Sequence, residues 1–151
     1  MNQEVTENGK KIEQNTSNDV LVVEDSKIIQ NMIKNVLGFT KYNVVLTNRG
    51  KSAIEQIKNS EPGRFKAVLL DLLMPDIDGM QVIDTIRKMK GVRSEVFVVA
   101  ITGNYEGHSE EVFRKHGFNA VIHKPFDGHN IVAILDALSD PDADSWLGFF
   151  E

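Results

Sequence analysis

Short apolar runs recur along the chain: Val20-Leu21-Val22-Val23, Tyr42-Asn43-Val44-Val45-Leu46, Ala67-Val68-Leu69-Leu70, Val96 to Ile101, and Val121-Ile122. They are too short for helices, and most show no polar alternation. They read as strands buried on both faces. Between them, apolar residues recur at helical spacing: Ile28, Ile29, Met32, Ile33, Val36 and Leu37, then Ala53, Ile54 and Ile57, then Val82, Ile83, Ile86 and Met89. A shorter helix is predicted over Ser109–His116, and a last one carries Ile131, Ile134, Leu135 and Leu138. Ser26, Asp78 with Gln81, and Asp127 supply start signals; Gly38, Pro62-Gly63, Gly91 and Gly117 supply stops.

Five strands alternating with five helices predict an α/β protein. Right-handed crossovers at this chain length favour a flavodoxin-like doubly wound (βα)5 fold. Its five-stranded parallel sheet would have the order 2-1-3-4-5, with the switch point between strands 1 and 3. Residues 1–18 are nearly all polar and are expected to form a disordered N-terminal extension. Residues 19–138 form one domain. The tail, 139–151, is acidic and then aromatic; it either folds back over an apolar patch or serves as a short partner-binding motif.

Composition narrows the function by exclusion. A net charge of -5 offers no basic surface, so direct nucleic-acid binding is not expected. The chain has no cysteine, which excludes disulfides and thiolate metal sites. No apolar run reaches the length of a membrane span or a signal-peptide core, so a cytoplasmic protein without membrane partners is expected.

The candidate chemistry lies at the carboxyl ends of the strands. Pro75 cannot continue a ladder, so the chain leaves the sheet just after Asp71. The first strand ends in Glu24 and Asp25, the third in Asp71, the fourth in Thr102, and the fifth runs into Lys124. In the 2-1-3-4-5 order these strands are neighbours, and their ends are where doubly wound proteins build sites. Crowded carboxylates repel by ~1 kcal/mol per pair in water at 4 Å, and by ~4 kcal/mol at an effective dielectric of ~20. Such a cluster calls for a counter-ion, and oxygen-only ligands at an open rim suit Mg²⁺, with Mn²⁺ as a substitute. A carboxylate beside such an ion can act as nucleophile towards a phosphoryl group, whose charge Lys124 and the Thr102 hydroxyl could meet. The pattern reads as an aspartyl-phosphate site.

Four pieces in order carry a resemblance: Val22-Val23-Glu24-Asp25-Ser26, Asp71 through Met80, Ala100-Ile101-Thr102-Gly103 and His123-Lys124-Pro125-Phe126. The sequence resembles the receiver domain of response regulators over about residues 19–138. The resemblance implies that Asp71 accepts a phosphoryl group from phosphohistidine. It implies Glu24, Asp25, Asp71 and the backbone carbonyl of Leu73 around the metal, with Lys124 and Thr102 on the phosphoryl oxygens and a cis Lys124-Pro125 bond. A histidine kinase or histidine phosphotransfer protein would be the partner, docking on Ile29, Met32, Ile33 and Phe126. A monomer or weak dimer is expected. One position departs from the pattern: the family's usual aromatic switch residue is replaced by Val121, so the readout, though not the chemistry, must differ.

The resemblance implies a signalling phosphoacceptor, not an enzyme with external substrates. A stand-alone receiver without an output domain is expected. The alternatives are a receiver segment of a hybrid histidine kinase and a receiver-like docking module that is never phosphorylated. A haloacid-dehalogenase-type phosphatase would need a second acid at position 73, which is Leu73. Gly50-Lys51-Ser52 looks like the end of a P-loop but lacks the required glycine at Val45. Asp76 and Asp78 read as turn or helix caps. His108, His116, His123 and His129 read as surface residues.

Overall fold

The computed structural model describes residues 4–7, 10–13, 17–103 and 109–150. A six-stranded sheet forms the centre. Its strands are β3 (Asp19–Val23), β4 (Asn43–Thr47), β5 (Phe65–Asp71), β6 (Phe97–Thr102), β7 (Ala120–His123) and β8 (Phe149–Phe150), in the order β4-β3-β5-β6-β7-β8. All pairings in it are parallel. This is the expected order with one strand added beyond the fifth.

The continuous apolar runs are explained by two cores. Leu21, Val23, Val68, Leu70, Val98 and Ala100 point to one face. There they meet α2 (Gly50–Asn59) through Ala53 and Ile57, and α3 (Gly79–Arg87) through Val82, Ile83 and Ile86. The intervening Val20, Val22, Ala67, Leu69, Val99 and Ile101 point to the other face. There they meet Ile33 and Leu37 of α1 (Lys27–Leu37) and Ile131, Ile134 and Leu135 of α5 (Gly128–Ala137). Each fully buried branched side chain contributes ~1.5–3 kcal/mol. The short α4 (Glu110–His116) adds Phe113 to the first core and ends at Gly117, whose φ of 97° suits glycine.

The predicted caps are in place. The Ser26 hydroxyl accepts from the Ile29 N–H, Asp78 forms a capping box with Gln81, and Asp127 accepts from the His129 N–H. A 3₁₀ turn over Gly91–Glu95, absent from the sequence reading, leads into β6.

The two ends add strands of their own, the first against expectation and the second by one of the two expected routes. Residues expected to be disordered pair as an antiparallel hairpin, β1 (Glu4–Glu7) with β2 (Lys10–Glu13), with Val5 opposite Ile12. The signal for it was Asn8-Gly9 between two short runs. The tail folds back: Phe149 and Phe150 pair with Val121 and Ile122 of β7.

Asp76 has a structural task. Arg49 gives α2 no side-chain cap. Instead Asp76, from the loop after β5, accepts the Gly50 N–H at 3.0 Å and the Lys51 N–H at 2.9 Å. Partial burial works against ionisation, but the N–H groups of Lys51, Ile77 and Gly50 outweigh it and hold the carboxyl at about 2. The helix terminus that resembled a P-loop is thus filled by the protein's own carboxylate. For a depressed acid, the contribution is present above the ordinary 3.8 and lost as pH falls through about 2. Asp76→Asn should therefore cost ~1 kcal/mol at neutral pH. That gap should narrow between pH 4.5 and 2.5 in denaturant titrations, and a constant gap would exclude the charge as its source.

Candidate functional site

The site is built by strand ends. All seven residues of β5 are buried, so Asp71 is delivered to the rim at 4% exposure. The Leu73 N–H donates to Asp71 Oδ1 at 3.0 Å, and Lys124 Nζ lies 3.2 Å from Oδ2. One oxygen is held by the turn and the other faces a cation. The turn itself depends on Gly79, whose N–H donates to the Leu72 carbonyl at 3.0 Å. A Cβ there would lie 2.8 Å from Leu72 Cα, which only glycine avoids.

Beyond β3, Glu24 is 1% exposed and Asp25 is exposed. The Glu24 N–H donates to the Thr47 carbonyl at 3.0 Å, and the Gln30 side chain donates to its carbonyl. Lys124 Nζ is 3.6 Å from Glu24 Oε1, too long for a hydrogen bond, so both buried carboxylate oxygens lack a hydrogen-bond partner. Burial first, and then the adjacent Asp71 carboxyl, push Glu24 up to about 8; Lys124 pulls the other way. One oxygen from each of Glu24, Asp25 and Asp71 lies within 4.8 Å of the others. Orphaned buried oxygens in such a cluster fit a hard divalent cation. Among the described residues this is the one such cluster, and it contains no histidine.

Thr102 ends β6 at 6% exposure, opposite His123 of β7. The Lys124 N–H donates to the Thr102 carbonyl at 2.8 Å, and the Lys124-Pro125 bond is cis. The five side chains expected from the sequence therefore share one rim.

The expected docking residues need one correction. Ile29, Met32 and Phe126 are half-buried, but Ile33 is fully buried in the core and cannot touch a partner. Ile33 lies on the stripe of α1 that faces the sheet, and a helix buries that stripe first. The apolar side chains exposed near the rim are Ile28 and Leu73, at 82% and 80% exposure. Neither was among the expected docking residues, although Ile28 falls one residue off the buried stripe. His116 pairs with Asp84 of α3 at 2.8 Å and His129 with Asp127 at 2.7 Å. Both are linked to their own surface. His108 lies outside the described residues.

The model of the response regulator receiver domain matches residues 20–136. The chain belongs to this family. Among solved structures it is similar to the receiver domain of the sensor histidine kinase PA1611 from Pseudomonas aeruginosa, described with a magnesium ion in its active-site cleft. Identity is 27% and the TM-score 0.71, over 83% of this chain and all (100%) of that one. The chemotaxis response regulator CheY4 of Vibrio cholerae shares the fold at 22% identity and TM-score 0.71, over 82% of this chain and 99% of that one. The transcription factor SKN7 of Chaetomium thermophilum is 30% identical over 134 residues, 85% of this chain but 17% of that protein's length. The receiver thus spans only a small part of that relative. Receiver domains are signalling phosphoacceptors of two-component systems. No helix among the described residues is long and apolar enough to cross a membrane.

Proposed function

We propose that this receiver accepts a phosphoryl group on Asp71 from a phosphohistidine and thereby changes its interaction with partners. The observation that carries the reading is the convergence of Asp71, Glu24, Asp25 and Lys124 from three strand ends, with Asp71 Oδ2 facing Lys124 Nζ at 3.2 Å. In the transfer, the phosphorus–nitrogen bond of the donor breaks, a bond from phosphorus to an Asp71 oxygen forms, and the imidazole leaves with its electron pair. The Leu73 N–H holds Oδ1, which fixes the plane of the attacking carboxylate. Lys124 and the Thr102 hydroxyl supply positive charge and a donor for the phosphoryl oxygens. When bound by Glu24, Asp25, Asp71 and the Leu73 carbonyl, Mg²⁺ or Mn²⁺ would supply charge neutralisation for the same oxygens.

The donor would be a histidine kinase or histidine phosphotransfer protein, docking on the rim where Ile28, Ile29, Met32, Leu73 and Phe126 lie. The chemistry is the same in a stand-alone cytoplasmic receiver and in a receiver segment of a hybrid kinase. Intact mass after incubation with acetyl phosphate tests the reading. A phosphoryl adduct that requires Mg²⁺ and is absent in Asp71→Asn is expected. No adduct, either with acetyl phosphate or with a phosphorylated histidine phosphotransfer protein, would leave only a docking module.

A further inference from the structure

A sheet ending at β7 would present an unpaired edge beside apolar Val121 and Ile122. The chain's own tail covers that edge. The Leu147 N–H donates to the Asn119 carbonyl at 2.7 Å, and the Val121 N–H donates to the Gly148 carbonyl at 3.0 Å. The Asn119 side chain donates to the Ser145 carbonyl at 2.7 Å. Side chains extend the grip to α4. Phe149 meets Phe113 edge-on at 5.9 Å and Trp146 at 5.7 Å. The Trp146 indole N–H donates to Glu110 at 2.8 Å, and Arg114 sits 5.9 Å from the Trp146 ring centre. Leu147 and Phe150 pack on the opposite core, so the segment grips both sides of the sheet edge.

We propose that residues 145–150 are an internal strand that closes the β7–α4 face, and that phosphorylation of Asp71 opens it. This rests on the phosphoacceptor reading above. The strand order β5-β6-β7-β8 puts Asp71 and the tail on opposite sides of β7. The groups that would meet a phosphoryl group, Thr102 and Lys124, end β6 and follow β7, and the Lys124 N–H bond to the Thr102 carbonyl links them. Drawing both towards β5 moves the end of β7 away from β8. The pairing with β8 spans two residues only and is the shortest in the sheet, where opening takes least energy. Val121 offers no aromatic ring of its own to report such a shift, whereas Phe149 pairs with it and Trp146 packs edge-on against Phe149. The opened edge would suit an extended, aromatic-bearing segment of a partner, added as a strand in the tail's place.

Trp146 is the single tryptophan of the chain, so its fluorescence reports the seat directly. Gly148 has φ 101°, which a β-branched residue does not tolerate, and a Cβ there meets nothing within 4 Å. Gly148→Val should therefore unseat the tail while keeping every aromatic, and it provides the open reference. The full chain is treated with Mg²⁺ and acetyl phosphate, and mass, Trp146 emission and acrylamide quenching are read on the same sample. Phosphorylation should shift emission to the red and raise quenching by about twofold, towards the Gly148→Val values, with Asp71→Asn unchanged. A stoichiometric adduct with unchanged quenching overturns the proposal and leaves the phosphoacceptor reading standing. Absence of an adduct with acetyl phosphate and also with a phosphorylated histidine phosphotransfer protein removes both. A Gly148→Val spectrum identical to that of wild type also overturns it.

Discussion

Arg87→Met lowers the melting temperature by roughly 6–12 °C, the largest loss expected from any exchange outside the two cores. The Arg87 guanidinium is half-buried at the end of α3 and bonds only neutral oxygens. It donates to the Gly117 carbonyl at 3.1 and 2.7 Å, to the Ser94 and Val96 carbonyls at 2.7 Å each, and to the Asn119 side-chain oxygen at 3.1 Å. It thereby ties α3, the turn before β6, the end of α4 and the start of β7 into one unit. Methionine keeps most of the stem volume but leaves carbonyls without donors, at ~1–3 kcal/mol for each buried group. A total near ~3 kcal/mol corresponds to the stated shift for a chain of this size. Thermal unfolding followed by circular dichroism measures it, and a loss under about 2 °C would mean that water replaces the guanidinium.

In metal-free protein, stability falls as pH rises from about 5 to 8. Glu24 is an acid pushed up from 4.5 to about 8, so the folded state keeps a proton that the unfolded chain has lost. Its contribution is whole below 4.5 and declines through that window. Asp71→Asn removes a repelling neighbour and leaves Glu24 matched to Lys124. The variant should melt about 3 °C higher than wild type at pH 8 without metal, on ~1 kcal/mol of relieved repulsion. Saturating Mg²⁺ requires ionised carboxylates, so it should stabilise wild type more at pH 8 than at pH 6. Asp25→Asn should respond less. Melting curves across pH with EDTA or Mg²⁺ test this, and a metal-free curve that rises towards pH 8 would contradict it.

Most of this site could be read from the sequence because strand ends are easy to locate. Pro75 fixes where β5 must stop, and the parallel order then brings Glu24, Asp25, Asp71, Thr102 and Lys124 together without knowledge of any loop. Asp78 was legible as a cap because its partner Gln81 is three residues away. Asp76 was recognised as a cap, but not of which helix, since its partners at Gly50 and Lys51 are 26 and 25 residues distant. Arg87 passed unnoticed for the same reason: its partners are backbone carbonyls, which have no sequence signature. Ile33 was misassigned because helical periodicity identifies an apolar stripe but not which margin of it stays in solvent. The tail's two readings could not be separated by composition. Aromatic residues serve an internal edge and a partner equally well.

The two cores have a consequence for how β5 tolerates change. Ala67 and Leu69 serve one layer while Val68 and Leu70 serve the other. Exchanging one apolar side chain for another asks only for local repacking. Inserting or deleting a single residue would send every following side chain to the wrong layer and carry Asp71 out of reach of Lys124. The segment that positions Asp71 is therefore permissive in spelling and rigid in length.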